Sequence, residues 1–229
     1  MKELKDLNDR IVNCDRCPRL LEYIRNVAHT KVRRFRDWEY WGKPLPGFGD
    51  PNPKLLIVGL APAAHGGNRT GRMFTGDSSG NWLARALYET RFANKPISES
   101  RDDGLELEEA YITAVVRCAP PQNKPTAQEI KNCNPYLTEE IRLFKRLRVI
   151  LCLGSIALKG TLMALKSLYP SAELKGIKFG HGLLYRPRGV PYVLMTSYHP
   201  SRQNTQTRRL TWEEWLKVFR KARELVEAL

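Results

Sequence analysis

The sequence is most informative first through what it lacks. No apolar run approaches the roughly 20 residues that a membrane-spanning helix needs, so no membrane partner is expected. The first ten residues, MKELKDLNDR, are charged and helical in pattern, unlike a secretory leader. Acidic residues are scarce beside basic ones, 24 against 38, and the chain carries +14. Five cysteines are too few for a disulfide scaffold in a chain of 229 residues, and a cytoplasmic setting is expected. Neither G-x-x-x-x-G-K-[ST] nor G-x-G-x-x-G occurs, so the nucleotide-binding loops they encode are absent. There is no internal repeat, low-complexity tract or dividing linker, so residues 1–229 read as a single domain.

What is present is a globular chain, 42% hydrophobic, whose positive charge favours a polyanionic partner. Its organising stretch is Leu55–Asp77. The apolar run Leu55-Leu56-Ile57-Val58 predicts a buried strand that ends at Gly59. A turn of small residues follows, then His65-Gly66-Gly67-Asn68-Arg69-Thr70-Gly71, and then Phe74-Thr75-Gly76-Asp77 directly before a helical pattern over 81–92. Strand, glycine turn and helix start place backbone N–H groups at a strand's C-terminal edge, where open α/β sheets bind ligands. Asp77 also suits a plain helix N-cap.

Further strands are predicted at 110–117, 148–153 and 191–197, with an added edge hairpin at 177–186. Helices are expected at 3–12, from Leu20 past Val27, at 126–144, at 155–168, and from the Thr211-Trp212-Glu213-Glu214 capping box nearly to Leu229. Pro135 predicts a break or kink near Cys133. Strands alternating with helices give a parallel sheet covered on both faces. Three loops then share one rim, carrying Gly59–Asp77, Cys118–Pro125 and His199–Asn204.

Two other groupings stand out. Cys14 and Cys17 form C-x-x-C ahead of a helix, and Cys118 and Cys133 are the remaining candidates for a four-thiolate site, since Cys152 lies inside an apolar strand. Four thiolates suit zinc or an iron–sulfur cluster equally. Residues 30–53 interleave Lys31, Arg33, Arg34 and Arg36 with Trp38, Tyr40, Trp41 and Phe48 on a proline-rich loop, a composition suited to phosphate contacts and base stacking.

The segments GLAPAAHGGNRTGRMFTGD (59–77) and HPSRQNTQTRRLT (199–211) resemble the uracil-DNA glycosylase superfamily, and within it the type B branch, family five. WGKPLPGFGDPNP (41–53) and RCAPPQNKPT (117–126) are similar to the same branch, and the resemblance runs from Cys14 to the last helix. It implies a three-layer α/β/α sandwich on a four-stranded parallel sheet. It implies a [4Fe–4S] cluster on Cys14, Cys17, Cys118 and Cys133, and hydrolytic excision of uracil or another damaged base from double- or single-stranded DNA by a monomer in the cytoplasm, associated with the nucleoid.

By residue, the resemblance implies catalytic roles for Asp77 and His199. Gly59, Ala61, Ala63, Phe74, Asn123 and His199 are expected around the base. His65, Arg69, Ser201, Arg202, Gln203 and Asn204 are expected at the DNA, the last three filling the gap left in the base stack. Most relatives carry a polar or acidic residue in the first turn, whereas Gly59-Leu60-Ala61-Pro62-Ala63 has no titratable side chain, so Asp77 is the nearest carboxylate the motif offers. Ala114 stands where related branches have a base-reading asparagine, which predicts a roomy pocket that also accepts lesions such as hypoxanthine. Two other readings compete: an iron–sulfur nucleic-acid-binding protein without activity, and a mononucleotide hydrolase, against which the missing phosphate loop counts.

Overall fold

The computed structural model describes residues 2–228. Two helices open the chain, α1 (Lys2–Val12) and α2 (Pro18–Thr30). The first buries Leu4, Leu7 and Ile11, and the second Leu20, Leu21 and Ile24, each a single stripe at helical spacing. Pro18 sits in the first turn of α2, where its missing N–H costs nothing. A loop then leads to β1 (Phe48–Gly49) and β2 (Leu55–Gly59). The short α3 (Gly67–Thr70) and α4 (Ser78–Glu89) follow, then β3 (Ala110–Ala114) and α5 (Ala127–Leu143). The chain continues through β4 (Val149–Leu153), α6 (Ser155–Leu168), β5 (Leu183–Tyr185), β6 (Val193–Ser197) and α7 (Arg202–Gln206) to α8 (Trp212–Ala228). The last helix, expected to run nearly to Leu229, extends through Ala228.

The sheet order is β1-β3-β2-β4-β6-β5. The α/β reading holds, but the sheet is mixed and six-stranded, not four-stranded. Its central strands β3, β2, β4 and β6 are parallel, and a short antiparallel strand closes each edge. The edge element expected at 177–186 supplies β5, which pairs with β6 in place of forming a hairpin of its own, whereas β1 was not anticipated, and both give weak signals for a physical reason. Phe48–Gly49 and Leu183–Tyr185 are two and three residues long and partly or largely exposed, so backbone pairing holds them and burial does not. The central strands are buried at every position, as a parallel sheet covered on both sides requires.

One core layer packs residues of α1, α2, α5 and α6 against Leu56, Val58, Ile150 and Leu194. The other packs residues of α4 and α8 against Leu55, Ile57, Leu151 and Met195. Each such aliphatic side chain, taken from water, contributes about 1.5–3 kcal/mol. The break expected at Pro135 does not occur: α5 is one helix through it, held by burial of Ile130, Cys133, Tyr136, Leu137 and Ile141. That packing offsets the roughly 3 kcal/mol that an interior proline costs.

Parallel pairing aligns the strand ends. Gly59 lies opposite Ala114, Val58 opposite Cys152, and Leu153 opposite Ser197. The loops after β2, β3, β4 and β6 therefore open on one rim.

Candidate active site

At that rim is a cleft of 610 Å³, lined by all four loops and by Tyr23 and Arg34 from the N-terminal part of the chain. Its floor is the turn after β2. A side chain at Gly59 would put its Cβ 2.7 Å from the Phe74 ring, so glycine there lets Phe74 lie across the strand end. Phe74 itself has φ +47°, in the left-handed region that a bulky residue rarely enters. Its ring faces His199, with centroids 5.5 Å apart and planes 36° from parallel. The Ala61 and Ala63 N–H groups, also on this floor, have no backbone or side-chain acceptor among the described residues.

His199 leaves β6 two residues beyond the sheet, and its position is built locally. Ser201 caps α7 by accepting the Asn204 N–H, and the Asn204 side chain donates to the His199 carbonyl at 2.8 Å. Ser79 at the start of α4 donates to the Pro200 carbonyl at 3.0 Å, tying the segment after β2 to the loop after β6. His199 is half-buried and lines the cleft. That burial pushes its pKa down to about 4, so the imidazole is neutral at neutral pH.

Asp77 is the N-cap of α4 and lines the cleft as well. One carboxylate oxygen, Oδ1, accepts the Gly80 N–H at 2.8 Å. The other, Oδ2, sits where a Cβ on Gly66 would be only 2.4 Å away, so the glycine is required for this approach. Burial raises the Asp77 pKa, against the opposing pull of the Gly80 and Ser79 N–H groups and then of Arg69 and Arg202.

The sequence-predicted residues separate at this point. Ala61, Ala63, His65, Phe74, Asp77, Asn123, His199, Ser201 and Arg202 all line the cleft. Asn123 is exposed at the rim, and with Gln122 it forms a consecutive pair at φ +56° and +55°. His65 accepts or donates one hydrogen bond with the Tyr40 hydroxyl, 2.9 Å from its Nδ1. Burial and the charges of Arg34 and Arg69 lower its pKa. Gly59 lies beneath Phe74, outside the cleft lining. Gln203 is exposed on α7, and Asn204 serves His199 from behind.

Arg69 requires a correction. Expected at the DNA, it is 3% exposed and holds two carbonyls of its own loop, so its guanidinium is not offered to phosphate in this structure. Arg34, read from the sequence as a candidate for phosphate contact, stands in the cleft wall; Tyr23, Ser79 and the Gly154-Ser155-Ile156 turn stand there too and were missed. The last of these was legible, because Gly154 ends a central strand as Gly59 does. Ser79 follows Asp77 by two residues in α4, whereas Tyr23 and Arg34 come from elements that only the tertiary fold brings near.

A second, small cavity is lined by Cys14, Cys17, Cys118 and Cys133, with Leu20, Leu21, Pro44 and Val116 beside them. Burial raises the Cys118 and Cys17 thiol pKa values and takes Cys133 to about 11. The Arg117 guanidinium, fully buried, clasps Glu140 through two hydrogen bonds of 2.9 and 2.6 Å, and Thr113 donates to the same carboxylate. This lock fixes the loop carrying Cys118 against the helix carrying Cys133. Cys152 is elsewhere, inside β4, as its apolar neighbours predicted.

An α/β sheet whose central strands are parallel, with a ligand-sized cleft at their ends, a neutral imidazole on one wall and a half-buried carboxylate on another, is the frame of an enzyme that takes its substrate group from outside. The chain belongs to the uracil DNA glycosylase superfamily, whose family pattern matches residues 46–223. It is 46% identical over 217 residues to the type-5 uracil-DNA glycosylase of Pyrobaculum aerophilum, covering 95% of this chain and 91% of that one. To the type-5 enzyme of Thermus thermophilus it is 48% identical over 212 residues, 93% of each chain. A type-4 uracil-DNA glycosylase of Pyrobaculum aerophilum is more distant, 32% identical over 200 residues, 87% of this chain and 83% of that one.

Proposed function

We propose that this chain is a monofunctional DNA N-glycosylase of DNA repair, which flips a uracil nucleotide out of DNA and hydrolyses its N-glycosidic bond. The observation that carries the reading is the meeting of Phe74, His199 and Asp77 in one cleft at the ends of the parallel strands. A base inside a duplex is unreachable, so the nucleotide must leave the stack. Phe74 offers the flipped base a face to stack on. The Ala61 and Ala63 N–H groups can receive its carbonyl oxygens.

As the glycosidic bond breaks, the sugar becomes oxocarbenium-like and the base departs with negative charge. A donor aimed at that charge stabilises the transition state more than the ground state. A neutral His199 can donate a ring N–H without first losing a proton, and burial keeps it neutral. Asp77 has one oxygen committed to the helix cap and a second free to orient, or take a proton from, a water that attacks the sugar carbon. Arg202 at the cleft mouth, with Gln203 and Ser201 near it, is placed to support the opened stack.

Cys14, Cys17, Cys118 and Cys133 fit a [4Fe–4S] cluster. The four line one small cavity, with Leu20, Leu21, Pro44 and Val116 on one part of its wall and Arg16, Arg117 and Asn132 on another, a four-thiolate set of the kind such a cluster takes. When bound, the cluster supplies a structural cross-link between the N-terminal helices and the loop and helix beyond β3.

The reading extends to one domain, acting as a monomer in the cytoplasm on single- and double-stranded DNA, and to other damaged bases such as hypoxanthine. No described helix is long and apolar enough to cross a membrane. The test is incubation with a uracil-containing duplex and detection of abasic sites. Tight binding with no released base would leave only the nucleic-acid-binding reading. Release of a base from mononucleotides alone would favour a nucleotide hydrolase.

A further inference from the structure

Arg69 is a buried charge that the reaction above does not use. Its Nε donates to the His65 carbonyl at 2.8 Å and its Nη2 to the Gly76 carbonyl at 2.7 Å. Its Nη1 is buried with no partner. The guanidinium packs against the rings of Phe35 and Trp38, 3.8 and 4.1 Å from their centroids. Other buried arginines of this chain are treated differently: Arg72 is paired with Asp103 at 2.9 Å and Arg117 with Glu140 at 2.6 Å. Arg69 bonds carbonyls only. A buried cation without an anion is strongly unfavourable, so its retention calls for a compensating group nearby. Besides burial, the groups that act on it are Tyr40, the opposing cation Arg34 and one carboxylate, Asp77.

We propose that Arg69 is a positioning residue for Asp77. It fixes the Gly76 carbonyl immediately before Asp77 and holds a buried positive charge that favours the ionised form of the carboxylate beside it. The aromatic, basic loop around residues 33–41 acts on the reaction through this residue, as the clamp that keeps the guanidinium dry. The inference rests on the reading of Asp77 as the group that handles water.

The groups that face Asp77 can be named. Two cations act on it, Arg69 from α3 and Arg202 from α7, and the Gly80 and Ser79 N–H groups face it from its own helix. His199 and His65 share the cleft, and burial lowers the pKa of both. Arg202 is exposed, so water and salt screen it. Arg69 is buried, and its field is not screened in that way. Burial already outweighs the groups that favour the Asp77 charge, and removing Arg69 leaves it less opposed. The carboxyl then protonates at higher pH, and excision is lost earlier on the acid side.

The experiment is single-turnover excision of uracil from a duplex between about pH 5 and about pH 9, for the intact protein, Arg69→Lys, Arg69→Met and Trp38→Leu. DNA affinity against salt is measured in parallel. Arg69→Met is expected to move the acid limb up by about one pH unit, a tenfold loss of rate on that limb, while Arg69→Lys keeps most of the limb in place. Trp38→Leu, which hydrates the guanidinium, gives a smaller shift of the same sign. The salt slope stays unchanged in all three.

A slope reduced by about 0.9 with an unmoved limb would make Arg69 a phosphate contact and overturn the proposal. So would an equal loss at every pH, the mark of a purely structural role. Should Arg69→Met not fold, an unmoved limb in Trp38→Leu overturns the proposal by itself. If Asp77→Asn retains the intact protein's acid limb, the reading of Asp77 fails. If that limb depends on Asp77 but ignores Arg69, only the present inference fails.

Discussion

Asp77 accepts the Gly80 N–H with Oδ1 at 2.8 Å and turns Oδ2 toward Gly66, so one carboxylate both caps α4 and faces the cleft. The two roles separate by substitution. Asp77→Asn keeps an oxygen for the cap and removes the charge. Its stability is expected within about 0.5 kcal/mol of the parent, while single-turnover excision falls on the order of 10²–10³. Asp77→Ala loses both, adding about 1 kcal/mol of destabilisation in a denaturant titration. Full activity of Asp77→Asn would reduce Asp77 to a cap.

His199 is expected to act as a neutral donor. His199→Ala should slow uracil release by about 10²–10³ with little change in DNA affinity. The same burial couples folding to pH. The folded-state pKa, about 4, lies below the ordinary 6.5, so this contribution is complete above pH 6.5 and is lost as pH falls toward 4. The melting temperature should decline across that window, and His199→Gln should decline less. Parallel curves would refute the linkage.

The four cysteines predict a brown protein with broad visible absorption and about four irons per chain. Replacing Cys118 or Cys133 by serine should bleach it and lower its melting temperature. Cys152→Ala should leave the colour unchanged, because that thiol lies inside β4 and bonds Thr161. Stoichiometric zinc without iron in anaerobically prepared protein would contradict the assignment.

Ala114 is 1% exposed, beside Gly59 at the end of the sheet. It cannot hydrogen-bond a base edge. The protein is expected to release hypoxanthine or etheno-cytosine as well as uracil. Ala114→Asn should narrow that range, since a buried amide facing the wrong base costs about 1–3 kcal/mol, or roughly tenfold to a hundredfold in rate. Single-turnover assays on duplexes carrying each lesion measure it, and strong uracil excision with no other base released by the parent would defeat it.

Charge sets a further expectation. With a net +14, DNA affinity should fall steeply with salt, with a log–log slope of about −0.9 per phosphate neutralised. Arg34→Ala and Arg202→Ala, both exposed at the cleft, should each reduce that slope by about one contact. A salt-independent affinity would exclude a DNA groove.

The central strands and the long helices were legible in the amino-acid order because their signals are local. Leu55–Val58 and Val149–Leu153 are uninterrupted apolar runs, and Thr126 with Glu129 forms the capping box that their spacing announces. The convergence of Phe74, Asp77 and His199 was legible at one remove, because parallel strands must present their C-terminal ends together. Other features depended on contacts distant in sequence. Pro135 was absorbed into α5 because the sheet buries that helix on both sides of it. Tyr23 and Arg34 reached the cleft through the docking of the N-terminal segment, which no local pattern encodes. Arg69 shows the division most sharply: its position in the motif suggested a phosphate contact, but the packing of Phe35 and Trp38 against its guanidinium withdrew it from water. Residue type supplies a charge; which surfaces close over that charge is decided by the fold.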